Sequence, residues 1–351
     1  MIDPDVVDRH RTSLAVLGRV EELTGTRRRR SPRTPYLLGP DHAVRVGRED
    51  VLEVLPTRLG GEASVEVVGA CTADVVVFGK FDRPGTPRLR AFRMDEDGGV
   101  AWKVQPYHGE DEHGIGREIA ARRTIGELAP HVSPALFGHG VLDTEDGQLG
   151  YLHEELVVGR HVRRWGLHEI VRPLVALLAD LYTAVGIRSA PWSEVGASRQ
   201  LERWADFVDE HEEAEPLRER VDALLRADRD VEVSLVHGDP VASNVVVRPD
   251  GSVMLVDWEY ARQHAVGLDL TKPVQQSVEQ KQALAAVEEV VGDVVGVRRA
   301  SYSLHEQLAL PQVQTLCWSE QHRAKSKQSG RLRRFREVQA QRLELLELLL
   351  S

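Results

Sequence analysis

The chain is poor in cysteine: Cys71 and Cys317 are the two it has. They lie far apart and no Cys-x-x-Cys occurs, so the sequence indicates neither a disulfide framework nor a thiolate metal site; free thiols in a reducing compartment fit best. Aromatic residues make up 5% of the chain, which leaves the core to Val, Leu and Ala. No apolar run approaches the roughly 20 residues that a membrane-spanning helix needs, and the opening MIDPDVVDRH has no apolar signal core. The expected location is therefore the cytoplasm, with no membrane partner. An excess of positive charge is also missing. The formal net charge is −10, which argues against general nucleic-acid binding and is compatible with a cationic substrate. G-x-x-x-x-G-K-[S/T] and HExxH do not occur, and the 14 histidines show no ligand spacing. A Walker-type ATPase and a histidine-held zinc site are thereby disfavoured. Gly114-Ile115-Gly116 opens a helical stretch but follows no strand, so a dinucleotide-binding fold is not indicated either.

What is present suits two lobes in one chain. There are 351 residues, 42% hydrophobic and 28% charged, enough for sizeable cores but long for one minimal domain. Residues 3–24 place Val6, Val7, Leu14, Val16, Leu17, Val20 and Leu23 at helical spacing. The segment TGTRRRRSPRTP follows and reads as a surface linker. Between 50 and 105 short Val-rich runs alternate with Gly, Pro and Asp, which predicts an antiparallel meander. A helix is predicted over 114–128, and then an extended segment, QLGYLHEELVV, that ends at Gly159. From Gly166 onward helices dominate, with one exception at 231–258. There VSLVHGD and VMLVDWE read as two strands joined through NVVVRPDGS, with Asp250-Gly251 as the turn signal. The expected division is an N-terminal helix and linker over 1–40, a β-rich lobe over 41–158 and a helical lobe over 159–351.

The chemistry concentrates in LVHGDPVASNVVVRPDGSVMLVDWEYA. Asp239 ends one strand, Asn244 follows five positions later, and Asp257 ends the next strand. A hairpin would bring Asn244 and Asp257 to the same end. A carboxylate and an amide carbonyl are the hard oxygen ligands that Mg²⁺ takes. A second carboxylate, not saturated by metal, can accept the proton of an attacking hydroxyl. Asp, then Asn five residues on, then a metal-binding Asp is the order in which phosphoryl-transfer enzymes of the kinase type use these groups. Asp and Asn near turns commonly serve as side-chain caps; the conjunction of HGD, Asn, VDWE and a preceding β-rich half is more specific than either pair alone.

HGDxxxxN followed by a strand ending in DWE resembles the aminoglycoside phosphotransferase and choline kinase family. The resemblance implies an α+β, bilobal protein-kinase-like fold and an ATP- and Mg²⁺-dependent transfer of the γ-phosphate to a hydroxyl of a small molecule. It makes Asp239 the catalytic base, Asn244 and Asp257 the metal ligands, and His237 a support of the loop. It makes Lys103, in VAWKVQ, the lysine on the α and β phosphates, and Glu118, fifteen residues on, its ion-pair partner. HEELVVGRHV resembles the family's hinge, so that backbone groups around Glu155, Leu156 and Val157 would bind adenine; an ordinary buried strand with a turn at Gly159 fits the same residues. A G-x-G-x-x-G loop is absent. The turn Gly69–Asp74, with Thr72 offering a hydroxyl to a phosphate, is the candidate, and DRPGTPR is the alternative. Asp269, in VGLDLTKP, is implied to brace the catalytic loop.

The acceptor is less legible. DFVDEHEEAE, residues 206–215, could receive the amines of a cationic substrate, but a solvated face fits it as well. A choline-type site would need an aromatic cage, for which Trp165, Trp192, Trp204, Tyr260 and Trp318 are available. The basic stretch 323–336 and the Leu-rich end read as an exposed face and a packing helix, and oligomeric state is open. A catalytically silent nucleotide-binding regulatory protein is the rival reading, kept by the atypical phosphate loop and opposed by the joint presence of Asp239, Asn244 and Asp257.

Overall fold

The computed structural model describes residues 4–25, 36–38, 43–46, 52–55, 75–81, 87–95, 98–145, 147–162, 169–293, 301–318, 323 and 332–351. The chain divides into two compact units. The first comprises Met1–His161 with Val246–Tyr260, and the second Val162–Val245 with Ala261–Ser351. The sequence reading ran its helical lobe unbroken from 159 to 351. The structure instead returns 246–260 to the first unit, because this stretch pairs and packs there.

In the first unit, α1 (Pro4–Leu23) lies on an eight-stranded sheet. The strands are β1 (Tyr36–Leu38), β2 (Ala43–Val46), β3 (Leu52–Leu55), β4 (Val75–Phe81), β5 (Pro87–Asp95), β6 (Gly98–Pro106), β7 (Leu136–Thr144) and β8 (Gly147–Glu155). Their order is β3-β2-β1-β4-β5-β6-β8-β7. The expected antiparallel meander holds from β4 to β6, but β1 runs parallel to β4. The helical stripe of α1 does what its spacing predicts: Val16, Leu17 and Val20 are buried against Leu89, Ala91, Trp102, Val104, Leu142, Leu149 and Tyr151. β7, LFGHGVLDT, has no strand signature in the sequence. Its glycines interrupt the apolar alternation, and Gly140 is required by packing, since a Cβ there would lie 2.7 Å from the Tyr151 hydroxyl. Helix α2 (Ile115–Leu128) buries Ile115 and Ile119 against Leu152.

The segment 246–260 is a hairpin. β12 (Val245–Val247) is flanked by β13 (Val253–Leu255) on one side and by β9 (Arg160–His161) on the other. Gly251, at φ 84°, takes the left-handed position in the turn, a conformation glycine enters without a Cβ clash. This corrects the expected pairing: VMLVDWE pairs with NVVV, not with VSLVHGD. The latter is β11 (Asp230–Val236), and it lies in a different sheet, in the second unit.

That second sheet has the order β10-β11-β14, with β10 (Arg188–Pro191) and β14 (Arg262–Ala265) both antiparallel to β11. β11 is buried on both faces from Val231 to Val236, so its continuous apolar run reads as a central strand. Around it stand α3 (Val171–Val185), α4 (Trp192–Val195), α5 (Gln200–Glu210), α6 (Arg218–Ala227), α7 (Gly267–Gln276), α8 (Gln280–Asp293), α9 (Leu304–Cys317) and α10 (Leu332–Leu350). The Leu-rich end packs onto the body: Leu343, Leu345, Leu346 and Leu349 are buried and α10 lies along α9. Among the described residues, no helix is long and apolar enough to cross a membrane.

Two predictions follow from this packing. A Cβ on Gly267 would sit 2.1 Å from the Gln307 carbonyl oxygen, so α7 approaches α9 too closely for any side chain. Gly267→Ala is expected to lower stability by about 1–3 kcal/mol in chemical unfolding; an unchanged midpoint would refute the close contact. His264 is buried with its ring edge-on to Trp192. Burial, helped by the Arg262 charge, lowers its pKa to about 4. Between the ordinary value of about 6.5 and that value the unfolded chain takes up a proton that the fold refuses. Stability is therefore complete above the window and lost as pH falls through it, by at most about 3 kcal/mol. His264→Gln should lose correspondingly less between pH 7 and pH 4; an equal loss would assign the acid sensitivity elsewhere.

Candidate active site

Two constellations carry the chemistry-bearing residues, one in each unit. The first centres on Lys103, in the middle of β6. Its Nζ lies 2.6 Å from Glu118 Oε2, 2.5 Å from Asp257 Oδ1 and 3.5 Å from Glu259 Oε2. Strand β6, helix α2 and the end of the β12–β13 hairpin thus meet on one ammonium. Glu118 is buried, and its other oxygen accepts the Trp258 backbone N–H at 3.1 Å. Burial alone would depress the Lys103 pKa. The carboxylates of Glu118 and Asp257 outweigh it and hold the ammonium above the usual lysine range. Burial pushes Glu118 up while Lys103 pulls it down. Asp257 is held well below the usual carboxylate range: burial opposes this, but the charges of Lys103 and Arg90 prevail. Asp257 also adopts φ 69°, a left-handed conformation that is uncommon for a residue with a Cβ and recurs at functional sites.

The sequence reading paired Lys103 with Glu118, and the structure brings them together. It missed Arg90 and Glu259. Arg90 Nη2 is 2.7 Å from Asp257 Oδ2, and Glu259 lies 3.5 Å from both Lys103 and Gln105. Arg90 is invisible in sequence because RLRAFR presents three arginines with no motif to choose among them. The glutamate of DWE was in view, but spacing gave it no role.

The second constellation is the loop that follows β11. Asp269 is fully buried and accepts the His237 N–H at 2.6 Å, the Gly238 N–H at 2.8 Å and the Tyr182 hydroxyl at 3.1 Å. Burial pushes its carboxyl up, against these donors. Gly238 turns the chain at φ 84°, which explains the glycine of HGD. The Asp239 N–H then reaches His237 Nδ1 at 3.3 Å, so that nitrogen acts as the acceptor. The Asp239 carbonyl accepts Asn244 Nδ2 at 2.9 Å. This turns the Asn244 amide oxygen away, where the Ser243 hydroxyl lies 3.4 Å from it. Lys272, on α7, was not singled out from the sequence, yet its Nζ is 3.5 Å from Asp239 Oδ1.

The hinge residues fare unevenly. The Glu155 N–H bonds to the Ala135 carbonyl at 2.8 Å and the Leu156 N–H to the Gly99 carbonyl at 2.9 Å. The Glu155 carboxylate holds the Ala135 N–H and Arg248. The Glu155 and Leu156 N–H groups are therefore taken up within the sheet, as extended backbone requires. Val157 remains. It is buried against Val246, Met254 and Val256, and among the described residues its N–H has no protein partner. Thr72, with its 69–74 turn, and most of the DRPGTPR alternative lie outside the described residues.

The acidic run 206–215 is partly neutralised. Arg218 binds Asp209 at 2.6 Å and Glu215 at 2.9 Å. Trp192 and Trp204 are buried core residues, so neither offers a face to an aromatic cage. Tyr260 stands edge-on to His113, and Trp165 lies outside the described residues.

Comparison with known proteins gives the chain a family. The pattern of the phosphotransferase enzyme family matches residues 85–293, a span that holds Lys103, Glu118, Asp239, Asn244 and Asp257. The chain belongs to the phosphotransferase enzyme family. Among solved structures, an aminoglycoside phosphotransferase from Alicyclobacillus acidocaldarius superposes with a TM-score of 0.52 at 14% identity, over 84% of this chain and 97% of that one. A spectinomycin phosphotransferase in complex with ADP and spectinomycin gives 0.50 at 13%, over 78% and 92%. A glucosamine kinase gives 0.50 at 16%, over 88% and 91%. At such identities the likeness shows the fold alone, the α+β class of protein-kinase-like phosphotransferases. No curated protein sequence matches the chain.

The buried ion network makes a prediction of its own. Lys103→Met leaves Glu118 buried without its cation, which is expected to lower stability by about 3–5 kcal/mol. Adding Glu118→Gln removes the stranded charge and should restore part of the loss. A double variant no more stable than Lys103→Met, in urea unfolding at pH 7, would show that the two residues are not coupled.

Proposed function

We propose that this phosphotransferase moves the γ-phosphate of ATP to a hydroxyl of a small molecule, with magnesium. The observation that carries the reading is the pairing of Lys103 with both Glu118 and Asp257, because it sets a buried cation beside a charged carboxylate, the two charges that nucleotide phosphates and their metal call for. Lys103 neutralises phosphate oxygens, and Glu118 sets its direction. The Val157 N–H is the open donor for adenine. Asp239 accepts the proton of the acceptor hydroxyl as that oxygen bonds to phosphorus and the bond from phosphorus to the ADP oxygen breaks. His237, Asp269 and the Asn244 amide hold the Asp239 backbone, and Lys272 holds its carboxylate. Positioning and fixed charge of this kind supply most of the acceleration in phosphoryl transfer.

The metal ligands fit their group. Asn244 presents an amide oxygen and Asp257 a carboxylate, both hard donors of the kind magnesium takes. Among the described residues, no group of three or more His, Cys, Asp or Glu is gathered to hold a metal alone. Magnesium commonly takes one or two protein oxygens and draws its other ligands from phosphate oxygens and water. When bound, magnesium supplies positive charge against the phosphates.

The acceptor class is a hydroxylated small molecule such as an aminoglycoside, another antibiotic, a sugar or an amino alcohol. The spectinomycin and glucosamine enzymes of the same fold support that range. An amine-bearing acceptor is favoured by the acids of the 206–215 run other than Asp209 and Glu215, which Arg218 does not hold. The test is ATP consumption in Mg²⁺ by wild type and Asp239→Asn against aminoglycosides, other antibiotics, amino sugars, sugars and choline-like alcohols. Turnover with one class, reduced about 100- to 10,000-fold in the variant, is expected. Absence of both turnover and Mg-ATP binding would refute the reading.

A further inference from the structure

Arg90 and Lys103 face each other across neighbouring strands β5 and β6, so their side chains leave the same face of the sheet. Both end on Asp257, one on each oxygen, at 2.7 Å and 2.5 Å. Their anchoring differs. Lys103 is buried and keeps Glu118 and Glu259 beside it whatever Asp257 does. The Arg90 side chain is 46% exposed, and Asp257 is the carboxylate it holds. If Asp257 is to serve a divalent metal, the less anchored of its two cations is the one to leave, and that is Arg90.

A second observation comes from the sequence. The sequence lacks the G-x-G-x-x-G motif, whose backbone N–H groups would cradle phosphates, which leaves more of the charge for a triphosphate to side chains. A guanidinium suits this well, being permanently charged and able to hold two phosphate oxygens at once. Half-exposure lets the side chain turn without opening the core.

We propose that Arg90 is a second phosphate-binding cation: it clamps Asp257 while no nucleotide is present and transfers to the nucleotide's phosphate oxygens when one binds. The proposal rests on the nucleotide-dependent reading above. It assigns to β5 a role that the sequence motifs leave empty, and it explains why two cations converge on one carboxylate.

The experiment is equilibrium binding of adenosine, AMP, ADP and ATP to wild type, Arg90→Gln and Arg90→Lys, each in EDTA and in Mg²⁺, with thermal unfolding of every variant. Arg90→Gln is expected to weaken ATP about 10- to 100-fold while changing adenosine by less than about twofold, with Arg90→Lys between. ATP affinity equal to wild type in Arg90→Gln would overturn the proposal and leave Arg90 as a structural partner of Asp257. Equal weakening of all four ligands would overturn it too, as a general defect of the site. A wild type that binds ADP and ATP no better than adenosine would remove the phosphate site itself. That outcome would sink the nucleotide reading, whereas the first two sink the role of Arg90 alone.

Discussion

A buried ammonium is the constraint around which the first unit is organised. Taking Lys103 out of water costs several kcal/mol unless carboxylates meet it in good geometry, and Glu118 and Asp257 do so at 2.6 and 2.5 Å. Meeting that demand fixes more than two side chains. Glu118 also receives the Trp258 backbone, so α2 and the segment after β13 are tied to the middle of β6 at one point. The strained backbone of Asp257, at φ 69°, is tolerable because both of its oxygens are held by cations. The interaction is a weak source of net stability for its cost, and its better-supported effect is to specify a single arrangement of three elements.

The second unit uses a buried acid for the same end. Asp269 takes two successive backbone N–H groups and a tyrosine hydroxyl. The loop after β11 is thereby shaped by its own main chain before any substrate arrives. Asp239 stands at the end of that loop, with its amide on His237 and its carbonyl on Asn244. Its carboxylate lies 3.5 Å from Lys272 Nζ. A residue held through its backbone keeps its carboxylate available, which is what the proposed role of general base requires.

The acceptor side is shaped by what the packing has already used. Trp192 and Trp204 are core residues, and part of the acidic run is answered by Arg218.

Elements with strong local signals were legible. The apolar periodicity of α1, α2 and α3 and the apolar run of β11 follow from residue spacing alone, and HGDxxxxN with DWE carried the family. The pairings were not legible. NVVV carries no local mark that makes it the partner of VML, and β7 carries glycines where alternation should be, because a tyrosine ring on the neighbouring strand fills that space. Arg90 is one of three arginines in RLRAFR, and only strand register sets it opposite Lys103. Glu155 looked like a hinge donor until Ala135, twenty residues away, proved to hold both its amide and its carboxylate. The sequence by itself determined which residue types are available for phosphoryl transfer and in what order, since motif spacing is a property of the chain. The tertiary structure alone decided which of them carry unanswered hydrogen-bonding capacity or charge, because that depends on neighbours brought in from distant parts of the chain.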